Sequence, residues 1–562
     1  MKVDLILKNG KYLDVKSRKF INGNIAIKDG KILDINGEYI ADEEKDINGK
    51  YIVPGFIDGH IHLESSVISP EDFAKLASIH GTTAVVTDPH EIANVCGVDG
   101  VKYMLQKTKK LPISVYFMIP SCVPATEFDE SAEKLDSVDT ANCFKLDEER
   151  ILGLAEMMNY PGVIAGDKEV LLKIAEAQKL GKRVDGHAPG LSGDDLKKYI
   201  EAGIQSDHEC TTIEEAKEKI DVARKLKKDF YVMIRQGTAA KNLEALVQLI
   251  NDLDYRENIM FATDDKHPEE LKNEGHIDYI IRKAIELGAN PEDTYITATH
   301  NAAKYFGLSN LGKIEKGCIA DLVILDDINL VKIDSVYKSG IKITKEKLDN
   351  WTKNKVEEKL ETKVRNSINM RTVNLEDINC KGVPKKVIGL IPGQLITTDE
   401  GITNNYDLKK DIIKVVVIES HKGTMHTGIA YLKGMGLKRG ALGTTVAHDS
   451  HCMILAGTND EDIILAANEI IKMQGGKIYV ENGIVKASLA LPIANLMTDE
   501  DSNEVIKKMK ELKNMIKVNE GIDPYMNLSF VSLPVIGDIR LLPSGAFDVK
   551  RWKVINQEEL NF

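Results

Sequence analysis

The first fifty residues carry short apolar stretches separated by turn signals. Residues 5–7 and 25–27 are apolar, residues 32–35 are apolar except for Asp34, and Asn-Gly or Asp-Gly pairs lie around them. These dipeptides favour the tight two-residue turns of β-hairpins. The pattern therefore predicts that residues 1–53 form the N-terminal part of a small β domain.

From Pro54 onward, short β-type runs alternate with segments whose apolar residues recur at helical spacing. The helical segments are residues 168–180, 196–202, 213–228 and 242–253. Such alternation is typical of βα units around a parallel sheet. The predicted strands end near His60, Asp88, Ile119, Glu156, His187, His208, Ile234 and Asp264. Eight units of this spacing predict an α/β fold with a closed (β/α)8 TIM-like barrel over residues 54–308.

The pattern changes twice after the predicted barrel. Residues 312–325 have the pattern of a hairpin with a buried strand, so we expect residues 309–345 to return to the small β domain. Residues 346–375 are rich in Lys, Glu and Asn, which is typical of a solvated helix or linker. Residues 376–562 mix strand and helix patterns, including a helix candidate at 504–516, and predict a C-terminal α+β domain.

Composition narrows the function classes. The 562 residues exceed what one hydrophobic core usually serves. Lys and Arg number 74 against 87 Asp and Glu, a formal charge of −13, which repels phosphate backbones and anionic lipids. We therefore expect neither a nucleic-acid nor a membrane partner. The N-terminus has no secretory pattern, no apolar run spans a bilayer, and seven scattered cysteines show no C-x-x-C spacing, so a cytoplasmic location is expected.

The strongest chemical signal is the apolar strand that ends in His60 and His62. Side chains two apart on an extended chain share a face, so both imidazoles can bind one cation. His187, His208 and Asp264 close other predicted strands, whose carboxyl ends meet on one rim of a barrel. Partly desolvated polar groups gathered there would be costly without a metal ion to share. The set therefore predicts a metal site.

The placement of these residues resembles the amidohydrolase superfamily. The His-x-His after the first strand, the single histidines after the fifth and sixth, and the aspartate after the eighth carry the resemblance. Within that superfamily, residues 58–66, 88–95, 154–163 and 446–451 are similar to segments of adenine deaminases of the bacterial barrel type. The likeness extends over nearly the whole chain.

The resemblance implies a dinuclear site with a hydroxide shared between two divalent cations. The implied ligands are His60, His62, Glu156, His187, His208 and Asp264. Manganese is the expected metal, although imidazole and carboxylate ligands also accept Fe²⁺ or Zn²⁺. Many superfamily members bridge their metals with a carbamylated lysine, and Glu156 stands in its place here. Lys168 is the alternative bridge, but its position before a helix is typical of a surface charge.

The implied reaction is hydrolytic deamination of adenine to hypoxanthine and ammonia, a step of purine salvage. Asp264 would take the proton of the attacking hydroxide, and Glu91 is our choice for the acid that ring N1 requires. Substrate-binding roles are expected for four further residues: His90, Asp88, Arg235 and Asp265. Gln236 follows the seventh predicted strand and could also contact the base.

Several alternatives stay open at this stage. Glu91 could instead support a metal ligand or stabilise a helix N-terminus. His448 and His451 could form an auxiliary metal site, a wall of the pocket or an ordinary turn. A cyclic amide hydrolase similar to dihydroorotase or hydantoinase is the second enzyme hypothesis, against which Glu156 argues, and a metal-binding regulatory protein is the third hypothesis.

The sequence does not carry the complete motif of the zinc-dependent deaminases. The zinc design needs H-x-E with P-C-x-x-C, and only His62-Leu63-Glu64 matches part of it. A homo-oligomer is expected.

Overall fold

The computed structural model of the protein describes residues 1–238, 240–351 and 353–560. It has an α/β fold in which parallel strands and helices alternate through the middle of the chain, between mixed β-sheets formed by both ends.

Eight parallel strands lie where the apolar pattern predicts them. We number them first to eighth in chain order: Phe56–Ile61, Thr82–Thr87, Ser114–Ile119, Ile151–Met157, Arg183–Gly186, Ser206–Asp207, Tyr231–Arg235 and Ile259–Ala262. The first five form one sheet and the last three another. Backbone hydrogen bonds join the two sheets at both edges, from Gln205 N to Val184 O and from Asp264 N to His60 O, each 2.9 Å long.

The helices of this region follow the strands and cover them. They are Pro70–Ile79, His90–Lys107, Ser137–Cys143, Tyr160–Ala165, Lys168–Lys179, Gly193–Ala202, Ile213–Lys225, Leu243–Leu246, Pro268–Asn273, Ile277–Glu286, Pro291–Ile296 and Ala302–Tyr305. The helix predicted at 213–228 ends early because Lys227 takes a positive φ of 56°. The one predicted at 242–253 has a single α-helical turn followed by a 3-10 turn, Val247–Ile250. Its apolar residues are buried on several faces at once, which a regular amphipathic helix does not allow.

The strands before and after the parallel region form one sheet. Its members are Lys2–Asp14, Lys19–Lys28, Lys31–Ile35, Ile40–Asp46, Tyr51–Pro54, Leu322–Asp327, Lys332–Lys338 and Ile341–Lys342. Tyr51–Pro54 pairs antiparallel with Leu322–Asp327, so the chain enters and leaves the parallel region through the same sheet.

Residues 346–375, expected to form a solvated helix or linker, are attached to the rest of the protein. Helices Lys345–Asp349, Glu358–Arg365 and Leu375–Ile378 begin in or next to this segment. Leu360 and Val364 lie one helical turn apart and are buried, and their helix packs against His90–Lys107. Two apolar positions among many charges are enough to dock a short helix, because residues four apart share a face.

The C-terminal residues form an eight-stranded sheet, a three-stranded sheet and helices. In spatial order the larger sheet contains Thr397–Thr403, Lys385–Leu390, Thr427–Lys433, Ile412–Ile418, Met453–Gly457, Ala441–Thr444, Gly476–Glu481 and Ile484–Ala490. The smaller sheet contains Ile539–Leu542, Gly545–Asp548 and Lys553–Val554, and the helices are Asp460–Met473, Ser502–Met515 and Pro524–Phe530. Among the described residues, no helix is both long and apolar enough to cross a bilayer.

Candidate metal centre and adjoining cavity

The carboxyl ends of the parallel strands place the predicted ligands together. His60 lies near the end of the first strand and His62 directly after it, and Asp264 follows the eighth strand and is hydrogen-bonded through its backbone N to His60 O. Asp264 adopts a φ of 63°, a left-handed conformation that aspartate tolerates better than most residues. Gly186 precedes His187, and a Cβ there would collide with the Ser206 carbonyl oxygen of the neighbouring strand. Glycine therefore lets the strands that carry His187 and His208 approach each other.

Glu156 lies between two pairs of histidines and turns one oxygen to each pair. Its Oε1 is 3.7 Å from His60 Nε2 and 3.3 Å from His62 Nε2. Its Oε2 is 2.8 Å from His187 Nδ1 and 3.2 Å from His208 Nε2. A carboxylate in this position can bridge two cations, each of which would also meet two imidazoles.

Asp264 completes the ligand group on the side of the first strand. Its Oδ1 is 3.1 Å from His62 Nε2 and 3.7 Å from His60 Nε2. The ligand atoms of His60, His62 and Asp264 lie within 4.8 Å of one another, and so do those of His60, Glu156 and His208. The six residues predicted as ligands are thus gathered around one space.

The donor atoms fit a bound metal. His60 Nε2 is buried and has no hydrogen-bond partner among the described residues, although two carboxylates face it at 3.7 Å. That distance is too long for a hydrogen bond but suits two ligands of a single cation. Imidazole nitrogens and carboxylate oxygens are ligands that Mn²⁺, Fe²⁺ and Zn²⁺ accept.

The pKa values of the histidines and carboxylates in this group also favour a bound cation. Burial lowers the pKa of His62, but Asp264 and Glu156 outweigh it and raise that pKa well above its ordinary value. Burial raises the pKa of Glu156, yet His208 and the other imidazoles hold it well below the usual range. The buried carboxylates thus draw positive charge towards them, which a divalent cation would supply.

Glu209 belongs to the site and was not singled out from the sequence. Its Oε1 is 3.5 Å from His187 Nδ1, and Arg235 Nη1 donates hydrogen bonds to both Glu209 and Asp264. Arg235, predicted to bind substrate, therefore holds two carboxylates of the site. The available signal was a carboxylate directly after His208 at a strand end.

Asp58 is a second residue that the sequence reasoning missed. It is fully buried and accepts hydrogen bonds from the backbone N of His60, in the first strand, and of Thr263, directly after the eighth strand. His276 Nε2 lies 3.0 Å from its Oδ2. Asp58 thus fixes the two strand ends that carry His60, His62 and Asp264.

The other residues singled out from the sequence lie at the edge of the metal group, in the adjoining cavity, in the interior or at the surface. His90 pairs with Asp88 at 2.9 Å and lies 3.7 Å from Glu156 Oε1, so both belong to the edge of the metal group. Asp265 accepts a hydrogen bond from Ser65 and lines the adjoining cavity. Gln236 is buried. Lys168 is exposed at the start of its helix and absent from the cavity lining, in keeping with a surface charge.

Glu91 meets two histidines from the C-terminal part of the chain. Its Oε1 is 2.9 Å from His448 Nδ1, and its Oε2 contacts His451 Nε2. Burial lowers the pKa of His448, but the Glu91 carboxylate raises it to about 9. His448 lines the cavity, whereas His451 is fully buried and absent from the cavity lining.

A cavity of about 140 Å³ opens beside the metal group. One side is polar and includes Glu91, Asp265, His448 and five of the six predicted ligands, all but His60. The other side is apolar: Met158, Leu395, Phe530, Leu533, Val535 and Ile536. A dry cavity of about 150 Å³ can hold a ring the size of benzene, so a small planar molecule fits here.

Comparisons with known sequences add independent information. Residues 51–360 match the profile of the amidohydrolase family, and residues 394–553 match that of the adenine deaminase C-terminal domain. An adenine deaminase of Clostridium acetobutylicum is 40% identical, with 98% of this chain and 97% of that protein covered. One of Halalkalibacterium halodurans is 40% identical, with 99% and 96% covered.

Solved structures are more distant. A crystal structure of an adenine deaminase has a TM-score of 0.46 at 17% identity, covering 61% of this chain and 99% of that one.

Proposed function

Because the chain belongs to the adenine deaminase family of amidohydrolases, we propose that it catalyses the hydrolytic deamination of adenine to hypoxanthine and ammonia. The observation that carries this proposal is Glu156, with one oxygen towards each of two histidine pairs, at the floor of a cavity with an apolar wall.

We propose that the site holds two divalent metal ions, with manganese as the expected metal and Fe²⁺ or Zn²⁺ as alternatives. The ligands would be His60, His62, Glu156, His187, His208 and Asp264. When bound, the ions would supply a hydroxide near neutral pH by lowering the pKa of water.

Asp264 is suited to carry a proton during the reaction. Burial raises its pKa, but Arg235 and His62 hold that pKa well below the ordinary value. Because its carboxyl is ionised, Asp264 can accept the proton of the attacking hydroxide, and it would then pass that proton to the departing amino group. Arg235 keeps Asp264 oriented by its hydrogen bond.

The rest of the cavity orients the purine. The apolar wall formed by Phe530, Leu533 and their neighbours would cover one face of the ring and exclude water. Asp265 and His90 line the cavity and would contact polar edges of the base, Asp88 would hold His90 in place, and Glu91 with its two histidines would form the acid side of the site. Together these residues would present C6 to the hydroxide.

We also propose the wider architecture and setting. The eight parallel strands would constitute a closed (β/α)8 barrel over residues 54–308, with a composite β domain from residues 1–53 and 309–345. Residues 346–375 would connect these to a C-terminal α+β domain, residues 376–562. A homo-oligomer acting in purine salvage in the cytoplasm completes the proposal.

The test is turnover by the metal-loaded protein. Adenine should be consumed with release of ammonia and the ultraviolet change that accompanies hypoxanthine formation. Asp264→Asn should lower kcat by about 100-fold or more, because it removes the proton carrier. Dihydroorotate and hydantoin serve as comparison substrates: ring opening of either, with adenine unchanged, would favour a cyclic amide hydrolase and refute the proposal.

A further inference from the structure

A histidine from the C-terminal part of the chain points into the cavity beside the metal group. His448 is 7% exposed and lines the cavity together with Glu91 and Phe530. Its backbone N donates to Ser529 O, and its ring lies 4.5 Å from that of Phe530, so its position is fixed from two sides. The side chain is therefore placed to touch whatever fills the cavity.

The two nitrogens of His448 have different surroundings. Nδ1 lies 2.9 Å from Glu91 Oε1. Nε2 has no hydrogen-bond partner among residues 1–238, 240–351 and 353–560, and it is not among the fully occluded polar atoms. One nitrogen is thus tied to a carboxylate, and the other is free to donate to a ligand.

Glu91 is held as an anion by its neighbours. His448 faces one oxygen and His451 the other. His451 Nδ1 accepts a hydrogen bond from Ala447 N, so the ring proton of His451 sits on Nε2, against Glu91. These imidazoles hold the pKa of Glu91 well below its usual range although burial alone raises it. An anionic carboxylate has no proton to give to a substrate.

The charges around His448 favour its cationic form. Glu91, Asp265 and Asp449 face it with carboxylates, while His451 and His90 are the nearby imidazoles. Three acidic groups around one imidazole stabilise a positive charge even in a buried position. At neutral pH, His448 therefore carries a proton on each nitrogen.

We propose that His448, with Glu91 as its counter-ion, is the catalytic acid that protonates ring N1 of the purine during attack at C6. This assignment rests on the proposed function. The role of acid at ring N1, which was expected of Glu91, passes to His448. The C-terminal domain then takes a direct part in the reaction.

The step balances in atoms and electrons. Hydroxide forms a bond to C6, and the electron pair of the C6–N1 double bond moves to N1, which takes the proton from His448 Nε2. The hydroxide proton then passes through Asp264 to the exocyclic amino group, the C6–N bond breaks, and neutral ammonia leaves. Hypoxanthine keeps the proton on N1, and His448 regains one from the water molecule that was ionised.

The experiment compares His448→Gln with wild type and with His426→Gln, all metal-loaded. Glutamine can donate a hydrogen bond but cannot give up a proton, so kcat for adenine should fall about 100-fold or more, while KM changes less than about fivefold. His426 is the matched control, since it also pairs with a carboxylate, Glu130 at 2.9 Å, but its side chain is 63% exposed. His426→Gln should keep wild-type kcat and KM.

Chemical rescue separates a proton donor from a structural residue. His448→Ala leaves space at the end of the cavity, and added imidazole should restore part of kcat in proportion to its protonated fraction. Rescue that follows protonation supports the inference. A loss in His448→Gln of less than threefold overturns it, and so does a large loss that imidazole fails to rescue. If wild type does not deaminate adenine, the proposed function has failed; if wild type does and His448→Gln does too, only this inference has failed.

Discussion

A buried ion pair lies directly behind the histidines of the fifth and sixth strands. Lys219 Nζ donates hydrogen bonds of 2.8 Å to Asp207, Glu215 and the Ala188 carbonyl oxygen. The side chains of Lys219 and Asp207 are both fully buried. Asp207 also accepts from Ala188 N at 2.8 Å, so the pair joins the residues that follow His187 to those that precede His208.

Lys219→Met should be strongly destabilising. Methionine fills similar space but leaves the Asp207 carboxylate buried without its cation, and breaking a buried pair in this way costs about 3–5 kcal/mol. For a domain of 150–250 residues, each kcal/mol shifts the melting temperature by about 2–4 °C. We therefore expect the melting temperature of the metal-free protein to fall by roughly 6–20 °C.

The double variant Lys219→Met/Asp207→Asn distinguishes an unpaired charge from lost packing. Removing both charges should recover most of the stability, because asparagine can still accept the hydrogen bond from Ala188 N. Lys217→Met is the matched control on the same helix. It breaks a partly exposed pair with Asp252, and such pairs contribute at most about 1 kcal/mol.

Thermal unfolding followed by circular dichroism, with urea unfolding as a second measure, gives the comparison. The reasoning is refuted if the double variant is as unstable as Lys219→Met, or if Lys217→Met costs as much as Lys219→Met.

Three further outcomes follow from the structure. Chelation of the metal should abolish turnover and lower the melting temperature, and added Mn²⁺ should restore both. A ligand at 100 times its Kd stabilises the folded state by about 2.7 kcal/mol. An unchanged melting temperature would therefore argue against a metal bound by the folded protein. Gly186→Ala should weaken metal binding measured by titration, because its methyl group collides with the Ser206 carbonyl oxygen, and unchanged affinity would contradict the close approach of the two strands. Burial raises the pKa of Asp129 to about 7, so this carboxyl lowers the stability of the folded protein as the pH rises from about 4 to 7. Asp129→Asn should therefore raise the melting temperature more at pH 8 than at pH 4. An equal effect at both pH values would show that Asp129 does not titrate in this way.

The parallel region could be predicted from the sequence because its residues repeat a simple rule. Each short apolar run followed by an amphipathic segment marks one βα unit, and the expected strand ends lie within two residues of those observed, as with Asp264 against Ala262. Since the ends of parallel strands meet on one rim, knowing where strands end is enough to bring His60, Glu156 and His208 together. The orientation of the side chains does not follow from that rule. The two oxygens of Glu156 face different histidine pairs because of its rotamer, which no sequence pattern encodes.

Residues whose partners are distant in the chain were harder to predict. Arg235 lines the cavity as the substrate-binding prediction requires, but its hydrogen bonds to Glu209 and Asp264 could not be predicted from the sequence. Asp58 sits within the predicted motif, yet its role depends on Thr263 and His276, more than 200 residues away. The sequence alone does not distinguish a buried aspartate that binds a metal from one that accepts backbone hydrogen bonds.

The cavity has two halves with different origins, and this explains why the metal side was predictable and the opposite side was not. The proposed ligands lie at strand ends, whose positions the periodicity of apolar residues reveals. Glu91 and His448 are separated by more than 350 residues and meet only because the loop at 446–451 and the segment at 530–536 pack over the strand ends. That packing decides which group at the cavity is charged. In an apolar pocket, Glu91 would keep its proton. Here two imidazoles from the C-terminal part of the chain face it and hold its pKa well below the usual range. Which groups at the cavity are charged therefore depends on the contact between two parts of the chain, and no single segment of the sequence shows that contact.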